Sequence, residues 1–383
     1  MAGRSTAPGL LWLAIAATAP ATSGCIYSRI IFHGVPGLSS PANFEAHQIG
    51  PSPAPAPIAR AGGELAVPLT PAEQARYRTF EGLLEQNDTG AFLVIKDDVL
   101  VYERYFHGLG PSTRLPSFSM SKAFAALMVG CAIEDGLFAS VDDPIARYVP
   151  ELGGREGWRE IKIDHLLRMT SGIDFEDESM AGAVFYYSKD LRSRIYSYGL
   201  RARPGSRYAY GSVNIQILWD ALQRRLALRG TNVARYFQDR VWARLGAVDE
   251  AAWALDSAEN GVEKLFGGFS ATARDHARIG LLFLHGGSLN GQDVVSRSWI
   301  DASLEPDPVP GTLETTDGRV RHGKYQWFLT RNGRAFFAKG FRGQYVFVVP
   351  DRRTVFVRFA EGYGDVNWPE LMIRIADAAD GVR

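Results

Sequence analysis

Cysteine is nearly absent: the 383 residues contain two, Cys25 and Cys131. The 46% hydrophobic content gives a chain of this length core enough to fold without disulfides. Cys131, inside an apolar helical run, reads as a small buried hydrophobe. An excess of either charge is missing too. The 42 basic residues balance 42 acidic ones and no Lys/Arg-rich run stands out, so nothing in the chain recruits nucleic acid. The seven histidines form neither a His-Glu-x-x-His motif nor a cluster with cysteine, so no metal is inferred. Gly267-Gly268 and Gly286-Gly287 read as turns, because no Gly-Lys-Ser/Thr follows them, and no cofactor is implied. Gly-x-Ser-x-Gly does not occur, and no Ser-His-Asp triad emerges from the spacing. His165 reads as a structural helix residue.

No long hydrophobic run occurs near the N-terminus either. Leu10 to Ala17 is apolar but too short to span a bilayer, and with Arg4 ahead of it the stretch has the form of a signal peptide over residues 1–24. Ser23-Gly24-Cys25 resembles a bacterial lipobox, although Thr22 stands where that motif usually has leucine. The expectation is export to the bacterial periplasm or cell envelope, with Cys25 acylated and the membrane a partner through that anchor. Cleavage without lipidation would leave Cys25 an ordinary thiol. Alternating prolines from Pro51 to Pro57 favour an extended chain and forbid a helix. Residues 25–69 are therefore expected to be an anchor tail and spacer, and the body to occupy 70–383, starting at the helix signal Thr70-Pro71-Ala72-Glu73.

Within the body, Ala91–Ile95 and Val99–Phe106 read as strands around the turn Lys96-Asp97-Asp98. Residues 116–289 are mostly helical in pattern. Strands return at Tyr325–Thr330, Ala335–Ala338, Gln344–Val349 and Thr354–Phe359, and a last helix runs over Pro369–Ala379. The fold class is α+β: an antiparallel sheet from both chain ends (about 70–115 and 290–383), flanked by helices, with a mostly helical region inserted.

The chemistry centres on Ser119-Met120-Ser121-Lys122, which opens the apolar segment Ala123–Ile133 that Gly136 ends. A helix apolar all round is buried. Residues three apart share a helical face, so the Lys122 amine reaches the Ser119 hydroxyl. Burying an amine favours its neutral, proton-accepting form, and a serine alcohol needs such a base to become a nucleophile. A helix N-terminus beside it also favours a developing oxyanion. Four letters alone fit equally a capping serine with a snorkelling lysine. A lysine heading an all-apolar helix, however, is costly without a role.

Further blocks follow in order: Ile163-Asp164-His165-Leu166-Leu167-Arg168-Met169-Thr170-Ser171-Gly172-Ile173, Pro204-Gly205-Ser206-Arg207-Tyr208-Ala209-Tyr210-Gly211-Ser212, Gly268-Phe269-Ser270-Ala271-Thr272-Ala273-Arg274-Asp275 and Ala338-Lys339-Gly340-Phe341-Arg342-Gly343-Gln344. With Ser119–Lys122 they resemble the serine β-lactamase and penicillin-binding-protein superfamily. The resemblance is to its class C-like branch, which also holds esterases and 6-aminohexanoate-dimer hydrolases. It implies a cleft between sheet and helical region. Within that cleft Tyr210 is the second-motif tyrosine, able to relay the Ser119 proton, and Ser119 and Phe341 N–H are the oxyanion donors. Whether Lys122 or Tyr210 is the immediate base stays open. Ser212 stands where the second motif has Asn, and Ala338-Lys339-Gly340 where the third has Lys/His-Thr/Ser-Gly. Both side chains of the pair that holds a substrate carboxylate are thus changed. Ser212, Lys339, Gly340 and Arg342 are candidate substrate contacts, Arg342 as a replacement cation. Tyr187, beside Tyr186, is a candidate lid tyrosine, against the simpler reading of a loop aromatic.

Three functions follow. The first is a small-molecule ester or amide hydrolase working through an acyl-enzyme. The second is a β-lactamase or D-alanyl-D-alanine carboxypeptidase, against which the altered third motif counts. The third is a non-catalytic lipid-anchored sensor on the same fold.

Overall fold

The computed structural model describes residues 26–62, 65–309 and 320–379. The expected signal peptide and Cys25 lie outside the described residues. Strands are numbered along the chain: β1 Ala46–Ile49, β2 Ala59–Arg60, β3 Thr89–Lys96, β4 Val99–Tyr105, β5 Leu115–Pro116, β6 Ala251–Ala254 and β7 Phe269–Ala271. They continue with a small hairpin, β8 Ser288–Leu289 and β9 Gln292–Asp293, then β10 Val320–His322, β11 Phe328–Thr330, β12 Phe336–Gly340, β13 Gln344–Val349 and β14 Thr354–Ala360. The helices that bear on the site are α1 Ile26–His33, α2 Ser121–Glu134, α3 Met180–Tyr187, α4 Ser212–Ala227, α5 Ala273–Leu284 and α6 Trp368–Ala378.

The main sheet has eight strands in the order β10-β11-β12-β13-β14-β3-β4-β2, so strands from the two chain ends meet at β14 and β3. Pairing is antiparallel except for β2, which runs parallel to β4 at the edge. Local chemistry sets the first hairpin. Asp97 and Asp98 both take positive φ (49° and 67°), as a two-residue turn matched to strand twist requires, and aspartate tolerates that region. Thr70 caps the helix Pro71–Tyr77 as expected, accepting from Glu73 N while the Glu73 carboxylate accepts from Thr70 N.

Helix α5 covers one sheet face closely. A Cβ on Gly280 would fall 2.7 Å from Val355 Cγ1 and 2.9 Å from Val346 Cγ1, so only glycine lets the two backbones approach this far. Its Arg274 grips Glu103 of β4 with two bonds of 2.7 Å. Helix α6 covers the other face, with Trp368, Leu371, Met372 and Ile375 against Phe92, Phe347 and Phe356.

The inserted region is less helical than its pattern suggested. It contributes β5, β6 and β7 to a second sheet of order β1-β6-β7-β5. Strands of two to four residues inside buried stretches show no periodicity of their own, and here the partner β1 completes them.

Residues 26–61 are no free spacer. Helix α1 packs on α3, and β1 pairs with β6. The Pro-rich stretch is extended but docked, with Ser52 N–H donating to Ala247 O and Ala56 N–H to Gly246 O, each at 2.9 Å. The expected body boundary at residue 70 therefore moves towards the N-terminus. The cause is that an extended proline chain, with few N–H groups to satisfy, suits a protein surface as well as solvent.

Candidate active site

The serine sits on a strained turn. Ser117 is clamped to β7, its N–H and Oγ both donating to Phe269 O at 2.8 and 2.9 Å. Phe118 follows with φ 44°, a left-handed conformation that costs a bulky residue energy. The 3-10 turn Phe118–Met120 leads into α2, and Ser121 Oγ donates to Phe118 O at 2.8 Å. Ser119 thus precedes the helix instead of lying in it. It is part-exposed while Ser117, Phe118 and Met120 are buried.

Lys122, in the first turn of α2, is 2% exposed. Its Nζ donates to Ser119 Oγ at 2.8 Å and to Phe266 O at 3.0 Å, and lies 4.9 Å from the centre of the Tyr210 ring. No carboxylate is ion-paired with it among the described residues. An amine held between a serine hydroxyl and a carbonyl, away from acids, is placed to exchange protons with that hydroxyl.

The block Ile163–Ile173 forms a cradle for Tyr210. Gly205 N–H donates to Thr170 O at 2.7 Å and Ala209 N–H to Met169 O at 2.8 Å. Gly172 (φ 78°) has no room for a Cβ, which would sit 2.1 Å from Ala202 O. Beyond the tyrosine, Ser212 N–H donates to Asp177 Oδ2 at 2.8 Å, and Asn214 Nδ2–H to Gly211 O at 2.9 Å. Asn214 is fixed in turn by Ser171, 2.5 Å away.

The turn after β12 closes the third side. Gly343 N–H donates to Gly340 O at 3.2 Å, a bond that leaves Phe341 N–H outside the turn's own pairing. A Cβ on Gly340 would stand 2.3 Å from Ser117 O, so the strand end lies directly against the serine turn. The Phe341 ring meets Phe118 edge-on at 5.9 Å, and Gln344 Nε2–H donates to Phe341 O at 2.9 Å.

The chain is similar to known proteins. The beta-lactamase family matches residues 78–380. A 6-aminohexanoate-dimer hydrolase of Paenarthrobacter ureafaciens is 29% identical over 329 residues, covering 79% of this chain and 81% of that protein. The chain belongs to the beta-lactamase family. A Bacillus anthracis structure, proposed to be a 6-aminohexanoate-dimer hydrolase, has TM-score 0.77 at 21% identity and covers 95% of this chain and 100% of its own. A family VIII carboxylesterase has TM-score 0.61 at 16% identity, covering 83% of this chain and 99% of its own. As a member of this family the protein is a hydrolase, and its neighbours share the fold.

Against that family background, the altered third motif takes definite form. Ala338 is fully buried in the core, and Lys339, on the opposite face of β12, holds its Nζ 4.9 Å from the centre of the Tyr363 ring. Arg342, expected as a replacement cation, is ion-paired with Glu361 instead. Ser212 opens α4 and is 3% exposed. Tyr187 is corrected outright. It is fully buried, donates its hydroxyl to Gly34 O at 2.8 Å and stacks on His33 of α1 at 5.8 Å, so it is not a lid residue. An eight-residue helix with mean apolar character on all sides does not reveal which tyrosine faces which partner. His165 is structural as read, its Nδ1 accepting from Lys162 N at 3.2 Å.

Tyr363 was not found from the sequence. Desolvation pushes its pKa up to about 12, against a smaller lowering effect of the Arg342 backbone N–H. It is exposed over 37% of its surface. The only signal was an aromatic between two glycines just past the last strand.

Proposed function

We propose that this hydrolase forms an acyl-enzyme on Ser119 and acts on esters or amides that carry no carboxylate next to the scissile bond. The observation that carries the reading is the 2.8 Å contact between Lys122 Nζ and Ser119 Oγ in a pocket without a paired acid. In this reading the Ser119 proton passes to Lys122, directly or through the Tyr210 phenol, as the oxygen attacks the carbonyl. Ser119 and Phe341 N–H receive the oxyanion. The same proton then returns to the leaving amine or alcohol, and water completes the cycle by the reverse route.

The substrate class rests on the third motif. With Ala338 buried and Arg342 paired to Glu361, the third motif lacks the Lys/His and Thr/Ser side chains that hold a β-lactam or D-alanyl carboxylate. The Paenarthrobacter relative supports testing linear amides of 6-aminohexanoate beside simple esters. Purified protein is expected to hydrolyse p-nitrophenyl acetate or butyrate, and Ser119→Ala to lose at least ~100-fold of that rate. An unaffected variant would sink the mechanism. Fast turnover of a chromogenic cephalosporin would restore the β-lactamase reading. A fluorophosphonate adduct without turnover of any substrate would favour a binding protein.

The location is part of the same proposal: export, with Cys25 as a lipid anchor. Cys25→Ser is expected to move the protein from the membrane fraction to the soluble one. Unchanged retention would remove the anchor.

A further inference from the structure

We propose that His322 is a positioning residue for Tyr210, acting through Tyr208. The proposal rests on the reading of Tyr210 as a proton relay. His322 ends β10, at the edge of the main sheet, whereas Tyr208 and Tyr210 belong to the inserted region. The two rings meet with centres 4.4 Å apart, and Tyr208 Oη lies 3.2 Å from His322 Nδ1. Phe328 packs on the other side of the imidazole at 4.7 Å. One hydrogen bond thus ties the segment carrying Tyr210 to the sheet that carries Phe341.

Tyr208, Tyr210, His322 and Phe328 line, with Leu167 and Arg168, a recess of about 10 Å³. That is the room of about one water molecule. Asp307, which acts on both His322 and Tyr208, is held by the Arg168 guanidinium at 2.8 and 2.6 Å, and Asp177 acts on Tyr208 as well. Burial lowers the His322 pKa to about 4 and raises that of Tyr208, so the bond joins two neutral groups near neutral pH. Packing alone would be served by phenylalanine at both positions. Burying an imidazole and a phenol costs desolvation, which their mutual bond offsets in part. That bond fixes the backbone two residues from Tyr210, where Ala209 N–H is already held by Met169 O. A catalytic phenol misplaced by a fraction of an ångström loses rate without losing substrate affinity.

The test is a cycle of variants assayed on the ester substrate. His322→Phe keeps the ring and removes the bond. It is expected to lower kcat about 5- to 20-fold with KM within about twofold, and His322→Gln, which keeps an acceptor, to recover most of that loss. In a Tyr210→Phe background, His322→Phe should cost less than about twofold more, because its effect runs through the missing hydroxyl. An undiminished loss in that background overturns the proposal. So does a silent His322→Phe when Tyr210→Phe alone is damaging, and that outcome leaves the Tyr210 reading intact. A silent Tyr210→Phe would overturn both. Should His322→Phe fail to fold, Tyr208→Phe removes the same bond from the other side and carries the same cycle.

Discussion

Arg342 is ion-paired with Glu361, and Glu361 uses its other oxygen to accept Leu38 N–H at 2.8 Å. A residue docked in the N-terminal segment therefore helps fix where the one arginine of the Gly340–Gly343 turn points. Glu361→Gln keeps an acceptor for Leu38 but removes the charge that holds Arg342. It is expected to raise kcat/KM for an ester bearing a free carboxylate, relative to its neutral analogue, by about 3- to 10-fold. Paired kinetics on the two esters measure this. An unchanged ratio would mean that Arg342 does not sense the substrate in either state.

Gly340→Ala tests how tightly the sheet end presses on the nucleophile. The new methyl would stand 2.3 Å from Ser117 O and 3.0 Å from Gln344 Cβ, so the serine turn and the Phe341 turn must separate. Acylation by a fluorophosphonate, followed by mass spectrometry, is expected to slow by at least ~10-fold, with a lowered Tm. Normal acylation would show that Phe341 N–H is not needed where it lies.

Lys264 gives a signed pH prediction. Its amine is buried, donates to Tyr186 O at 2.8 Å and lies 5.0 Å from the centre of the Phe44 ring. Burial lowers its pKa from 10.5 to about 7, against a smaller raising effect from Asp256. Between those two values the unfolded chain binds the extra proton, so this group's contribution to stability rises with pH across that window. Below about 7 both states are protonated and the full penalty remains. Lys264→Met removes the dependence. Melts at pH 7 and pH 9.5 should show wild type gaining on the variant by about 2–3 kcal/mol over that interval. A constant difference would contradict the buried, easily deprotonated amine.

What could be read from the sequence was what is local. Ser119 and Lys122 are three residues apart, and that spacing places them together whether the turn is α or 3-10. The Asp97-Asp98 turn and the Thr70 cap are equally short-range. The order of the family blocks pointed to Tyr210 and the sheet-end turn, but not to why the Ile163–Ile173 block exists. Its role as a cradle depends on hydrogen bonds to residues about forty positions on. Tyr187 went astray because its surroundings are α1 and Gly34, more than 150 residues earlier in the chain. The N-terminal segment went the same way: its pairing with β6 spans some 200 residues and leaves no periodic mark. His322 and Tyr363 reach Tyr208 and the Phe341 turn only through the tertiary fold.

The burial of Ala338 bears on how this chain can evolve. In the family's third motif that position carries lysine or histidine, yet here it faces the packed core with no surface exposed. A single codon change to a basic residue would push an ionised side chain into that core and destabilise the protein before it recognised any carboxylate. If the proposed substrate class holds, a basic residue at 338 alone would therefore not give the cleft a carboxylate-binding side chain. The packing under α5 would have to loosen first, because the next cation along the strand, Lys339, stands over Tyr363 on the opposite face.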